Sequence, residues 1–161
     1  MKIAVVYHSE TENTQKVADI VVEGAEKVEG VEVKSMSIDH VDEAFINEAK
    51  VVFFGTPTYA GTCSWQMKKW MDTSKIKLAG KVGCVFATEN FLGGGAENAE
   101  LSLISMLLVK GMFAYSVGVG EGLPYTHFGA VCTKDGTEEE QERVRLFGER
   151  VARNVQKSFK E

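Results

Sequence analysis

The chain has 161 residues, a formal charge of −5 and 44% apolar residues, which suits one domain over residues 1–161 with a core that needs no disulfide or metal staples. The acidic balance disfavours nucleic acid as a partner. No apolar run has the length of a membrane span.

The first apolar run, Ile3 to Tyr7, is continuous, as expected for a strand covered on both faces. It leads into Tyr7-His8-Ser9-Glu10-Thr11-Glu12-Asn13-Thr14, a turn carrying three hydroxyls and an amide. Val17, Ile20, Val21, Ala25 and Val28 follow at helical spacing. The first N–H groups of a helix lack internal partners, and with the helix dipole they favour an anion. No Lys or Arg lies between Lys2 and Lys16. A phosphate here is therefore held by neutral donors, which suits a phosphomonoester on a larger ligand. His8 reads as a local orienting group.

Val31 and Val33 alternate with charges like an edge strand, and Val51 to Phe54 is a second buried strand stopped by Gly55-Thr56-Pro57. Ser64 to Met71 predicts a short helix and Val82 to Ala87 a third buried strand. The helix predicted over Ala99 to Val109 is apolar almost all round. Leu101, Ile104 and Leu108 form one stripe, and Ala99, Leu103, Met106 and Leu107 another. Such a helix is either deeply buried or covered by a partner, which makes a homo-oligomer contact a candidate. Met112 to Val119 predicts a further strand, and Gly120 to Gly136 a long loop with a short pairing segment at Phe128 to Cys132. The last helix starts near Thr137, with Val144, Phe147, Val151, Val155 and Phe159 on one face. Its acidic start (Glu138, Glu139, Glu140) and basic end (Arg153, Lys157, Lys160) complement the helix dipole.

This alternation predicts an α/β fold: three layers, α/β/α, around a five-stranded parallel sheet in order 2-1-3-4-5. Ligands bind such sheets at the carboxyl ends of the strands, here the loops after the first, third and fourth. The first loop is Ser9 to Thr14. The second is Gly55-Thr56-Pro57-Thr58-Tyr59-Ala60-Gly61-Thr62, and the third Ala87-Thr88-Glu89-Asn90-Phe91-Leu92-Gly93-Gly94-Gly95. Two aromatics in separate loops suit a flat ring, and the glycines permit close backbone approach.

Cys63, Cys84 and Cys132 are odd in number and widely spaced, a pattern of free thiols without a disulfide framework or metal site. Cys84 reads as a buried small hydrophobe and Cys63 as a passive thiol near a helix start. The apolar run behind Met1-Lys2 is too brief for a signal peptide, so the expected location is cytoplasmic.

Over nearly its whole length the chain resembles the flavodoxin superfamily. The phosphate loop of that family has the form Ser/Thr-x-Thr-Gly-Asn-Thr; Ser9, Thr11, Asn13 and Thr14 match it, with Glu12 in place of the glycine. The resemblance implies FMN as cofactor and an electron carrier between redox partners. It implies contacts from Ser9, Glu10, Thr11, Glu12, Asn13 and Thr14 to the phosphate end. Further contacts come from Thr56, Pro57, Thr58, Tyr59, Ala60 and Gly61, and from Thr88, Glu89, Asn90, Phe91 and Gly94. By the same resemblance Tyr59 and Phe91 stack on the ring, and the Ala60-Gly61 peptide rotates when flavin N5 gains a proton, cheaply for so small a pair. Tyr59, Gly61 and His127 are the candidates nearest the reacting ring. The loop residues hold no Lys or Arg, while Glu12, Glu89, Glu97 and Glu121 are expected nearby, disfavouring an anionic reduced ring and lowering its potential. The glycine run with Glu97 and Gly111-Met112 also resembles NAD(P)H:quinone oxidoreductases, so the alternative is an enzyme that oxidises NAD(P)H and reduces quinones or other small acceptors.

Other uses of this architecture are disfavoured by their missing residues. The third strand ends in Gly55-Thr56 rather than a phosphorylatable Asp, and no Cys-x5-Arg follows the first strand. Gly118-x-Gly120-x-Gly122 lies in a loop, away from any strand-to-helix turn.

Overall fold

The computed structural model describes residues 1–159. Lys160 of the expected basic helix end lies outside the described residues. Strands β1 (Lys2–Tyr7), β2 (Glu32–Ser37), β3 (Val51–Tyr59), β5 (Val82–Glu89), β6 (Phe113–Ala114) and β7 (Ala130–Thr133) pair in parallel, while β4 (Thr62–Cys63) turns back antiparallel on β3. Helices α1 (Asn13–Ala25), α2 (Glu43–Glu48), α3 (Trp65–Thr73), α4 (Ala96–Val109) and α5 (Glu138–Ser158) cover both faces.

The sheet runs β2-β1-β3-β5-β6, with β7 also against β5. This is the expected spatial order; the numbering shifts because the short β4 counts as a strand. Two separate segments fill the fifth position, the second of them at the pairing segment expected over Phe128 to Cys132, while the first is shorter than expected. Phe113 and Ala114 pair with Val82 and Gly83, whereas Ala130 to Thr133 pair with Phe86 to Glu89. The strand expected to run from Met112 to Val119 thus ends at Ala114. Beyond it the backbone turns left-handed at Val117 (φ 66) and Gly118 (φ 62), which no strand tolerates. Two hydroxyls close the neck of the excursion: Thr126 Oγ1 donates to Ser116 O at 2.6 Å, and Ser116 Oγ to His127 O at 2.8 Å.

Strand β3 also runs past the expected stop, since Gly55, Thr56 and Pro57 pair with Phe86, Ala87 and Thr88. Gly55 is required there, because a Cβ would lie 2.1 Å from the Phe86 ring. Proline is tolerated at Pro57 because the pairing ends with it.

Alternation along β1 sorts the core. Ile3, Val5 and Tyr7 face α1 and α5; Ala4 and Val6 face α2, α3 and α4. The short α2, capped by Asp42 accepting from Phe45 N, was not expected, since one turn and a half carries no readable periodicity. On the last helix Val144, Phe147, Val151 and Val155 are buried, but Phe159, the residue that caps its carboxyl end, is half exposed. On α4 the stripe of Ala99, Leu103 and Leu107 enters the core, whereas Leu101, Leu108 and Val109 stay exposed. No helix among the described residues is long and apolar enough to cross a membrane.

Candidate functional site

The carboxyl ends of β1, β3 and β5 open on one cleft. It is lined by Glu10, Thr11, Asn13, Thr14, Pro57, Thr58, Tyr59, Thr88, Glu89, Asn90 and Lys134. Its volume is about 80 Å³, far below the roughly 300 Å³ that encloses a small molecule. It is therefore of a size for a phosphate group and not for a whole nucleotide.

The first loop leaves backbone donors without partners among the described residues. Gln15 N donates to Ser9 Oγ at 3.3 Å, closing the turn, and Lys16 N donates to Glu12 O at 2.9 Å, starting α1. The backbone N–H groups of Glu10, Thr11 and Glu12 donate to no acceptor among the described residues. Glu12 adopts φ 67, ψ −8, the left-handed conformation that a glycine takes without strain. The loop thus keeps the turn of the glycine-containing pattern, and the Glu12 side chain is exposed.

Thr88 joins the loops. Its hydroxyl shares a hydrogen bond with Thr14 Oγ1 at 2.8 Å, and its carbonyl accepts from Thr58 Oγ1 at 2.9 Å. Thr56 is buried and acts locally: Ser64 N donates to its Oγ1 at 2.9 Å, and Oγ1 donates to Pro57 O at 2.8 Å. Tyr59 forms one wall, and burial together with the Glu10 carboxylate raises its phenol above the ordinary value.

Ala60 (φ 49) and Gly61 (φ 75) form the two-residue turn between β3 and β4. Both residues are left-handed, as in a type I′ turn. Asn98 Nδ2 donates to Gly61 O at 2.6 Å, and a Cβ on Gly95 would lie 2.9 Å from Gly61 Cα. The turn is clamped on the start of α4. Rotating the Ala60-Gly61 peptide gives the II′ form, whose first position demands glycine. The small pair therefore does not make rotation cheap, because Ala60 occupies that position.

In the third loop Glu89 is buried and its Oε2 accepts from Ala96 N at 3.1 Å, capping α4. Gly94 leaves room for it, since a Cβ there would lie 3.2 Å from that oxygen. Asn90 lines the cleft, and Phe91 stands 66% exposed outside it.

Other candidates lie apart. His127 is exposed and lines a groove at the β7 edge. Glu121 is held by Arg153 Nη2 at 2.6 Å and Asn154 Nδ2 at 3.1 Å on α5, and Glu97 sits on the exposed face of α4. His8 is buried with neither ring nitrogen hydrogen-bonded, its Nε2 3.6 Å from Glu10 Oε1. Cys63, Cys84 and Cys132 are buried, and burial pushes the Cys132 thiol up to about 12.

The sequence reading missed Lys134. It sits in a left-handed turn (φ 57) directly after β7, and its N–H donates to Glu89 O at 2.7 Å. The available signal was positional: a lysine following a strand lies at the carboxyl edge of the sheet.

The family profile described as Flavodoxin matches residues 5–118. A flavodoxin of Clostridium saccharobutylicum is 44% identical over 160 residues, covering 99% of this chain and 100% of that protein. An NAD(P)H dehydrogenase (quinone) of Geotalea daltonii is 36% identical over 160 residues, covering 80% of this chain and 74% of its own length. Among solved structures, a flavodoxin, WrbA-like protein from Agrobacterium tumefaciens superposes with a TM-score of 0.80 at 27% identity, covering 99% of both chains. The hydroxyl-rich loops on a 2-1-3 sheet core, the left-handed residue kept inside the phosphate pattern and a profile match over most of the chain agree: the chain belongs to the flavodoxin family.

Proposed function

We propose that the chain is a single FMN-binding domain that carries electrons between redox partners in the cytoplasm. The observation that carries this reading is the convergence of the three loops on one phosphate-sized cleft, tied together at Thr14, Thr58 and Thr88. Ser9 to Thr14 hold the phosphate through backbone N–H groups and hydroxyls, and Lys134 adds the cation that this loop lacks. Tyr59 supports one face of the ring, and the exposed Phe91 is placed to cover its outer face. FMN supplies the electron chemistry when bound. The chain biases it: Glu10 and Glu89 line the cleft against Lys134 alone, an arrangement that opposes added negative charge.

The enzyme alternative has less support. The large groove at the β7 edge carries Glu97, Glu139 and Glu142 against Arg143, with Arg145 paired to Glu142, a balance that offers the phosphates of a dinucleotide no free cation among the described residues. The outer stripe of α4, with Leu101, Leu108 and Val109 exposed, is a candidate contact with a second copy; a monomeric mass by light scattering removes that assignment.

The deciding experiment is reconstitution with FMN followed by absorption spectroscopy. Flavin bands that survive gel filtration support the reading, and their absence ends it. Replacing Thr11 and Asn13 by Ala should weaken FMN about tenfold, roughly 1.4 kcal/mol, with little change for riboflavin. Equal losses for both ligands would remove the phosphate assignment. Steady-state oxidation of NADH or NADPH with a quinone separates carrier from enzyme.

A further inference from the structure

A large groove lies away from the flavin cleft, at the β7 edge between α4, α5 and the loop before β7. Its volume is about 730 Å³, and its walls include Leu123, Tyr125, Phe128 and Val131. That loop is a built wall. Arg150 donates to the carbonyl oxygens of Leu123 at 2.8 Å and Pro124 at 2.9 Å, and Thr126 bonds back to Ser116. Tyr125 and Phe128 remain partly exposed on the groove side.

Glu100 forms the base of the cavity. It is 1% exposed, and its Oε1 is enclosed without a hydrogen-bond partner. Gly129 makes room for it, since a Cβ there would lie 2.6 Å from that oxygen. A buried carboxyl without a partner is costly. Burial, with the neighbouring Glu97 carboxylate, pushes its pKa well above the ordinary carboxyl value.

The chemistry around this oxygen selects a ligand class. Glu139 and Glu142 on α5 are paired, with Arg143 at 3.5 Å and Arg145 at 2.6 Å, which leaves Glu97 on α4 as the excess negative charge of the rim, and His127 stands on the loop. An anion is repelled, and a purely apolar ligand leaves Glu100 Oε1 unsatisfied. A cation with N–H donors satisfies it, and the Tyr125 and Phe128 rings offer apolar surface to the rest of such a ligand. We propose that this groove binds a small organic ammonium ion, its head held by Glu100 and its apolar body against Tyr125 and Phe128. The Glu100 proton leaves to solvent as the ammonium binds, so the pair is charge-balanced inside the groove. The assignment is independent of the flavin cleft.

Calorimetric titration of the FMN-loaded protein tests it, with 2-phenylethylammonium, 2-phenylethanol and phenylacetate as probes of equal shape and different charge. The ammonium should bind one per chain, about tenfold or more tighter than the alcohol, while phenylacetate gives no heat. Repetition in buffers of different ionisation heat should reveal proton release on binding. Glu100→Gln should keep the flavin spectrum, lose roughly tenfold in ammonium affinity and abolish the proton release. Tyr125→Ser, on the partly exposed wall, should weaken the ammonium several-fold. Equal binding of ammonium and alcohol, unchanged binding by Glu100→Gln, or no binding of any probe overturns the proposal.

Discussion

Glu12 sits where the family pattern has glycine, and it keeps the glycine's backbone at φ 67. A non-glycine residue there costs roughly 1 kcal/mol of strain. Glu12→Gly relieves that strain but loosens the unfolded chain by a comparable amount. Urea unfolding should therefore place the two proteins within about 1 kcal/mol, while Glu12→Val should lose roughly 2 kcal/mol. Glu12→Gln isolates the charge: FMN should bind a few-fold tighter at low salt, with the gain fading as salt rises. Lys134 carries the opposite sign, and Lys134→Ala should weaken FMN several-fold without affecting riboflavin. Glu100 has a different signature. Its folded pKa is raised, so the native state holds a proton that the unfolded state releases above the ordinary carboxyl range. Stability from this group is full below that range and falls as pH rises towards the folded value, by at most about 1.4 kcal/mol per pH unit. Glu100→Gln should remove the fall and be the more stable form at neutral pH, measured by denaturant unfolding at acid and neutral pH.

At the scale of elements, the closest packing is between α1 and α5. A Cβ on Gly24 would lie 1.9 Å from Arg145 O, and one on Gly148 2.4 Å from Val21 O. Each glycine admits the backbone of the other helix. Alanine is the better helix former by about 1 kcal/mol, yet Gly148→Ala should destabilise by roughly 2–3 kcal/mol because the helices must separate. A melting temperature that rises instead would show that this contact relaxes. Helix α5 begins at a capping box, Thr137 and Glu140 exchanging side-chain and backbone bonds. Its start was legible from Thr137 and the three glutamates. The buried strands were equally legible, because a strand covered on both faces is a plain apolar run. The split of the fifth strand was legible in part: the pairing segment expected at Phe128 to Cys132 is β7 at Ala130–Thr133, but Tyr115 to Val119 has strand-like composition, and only the Thr126 and Ser116 hydroxyl pair reveals where the chain leaves the sheet. Much of the cleft was readable because its hydroxyls cluster within two short loops. Lys134 escaped because it reaches the cleft from a turn remote in sequence.

At the scale of the molecule, the charge of −5 governs encounters more than it governs the fold. A carrier that docks through weak contacts gains its on-rate from the field of the whole surface, and salt screens that field within about 10 Å at 0.1 M. Reduction of the FMN-loaded protein by a basic protein donor should therefore slow roughly tenfold or more between low and high salt. Slowing alone is ambiguous, because salt also alters ligand binding and solvation. Electron exchange between two copies of this chain supplies the opposite case, since two acidic surfaces repel. That exchange should be slow at low salt and accelerate as salt is added. A common direction for both reactions would mean that the flavin edge, rather than the surface charge, controls the encounter. Opposite directions would place the rate control in the net acidic charge of the surface.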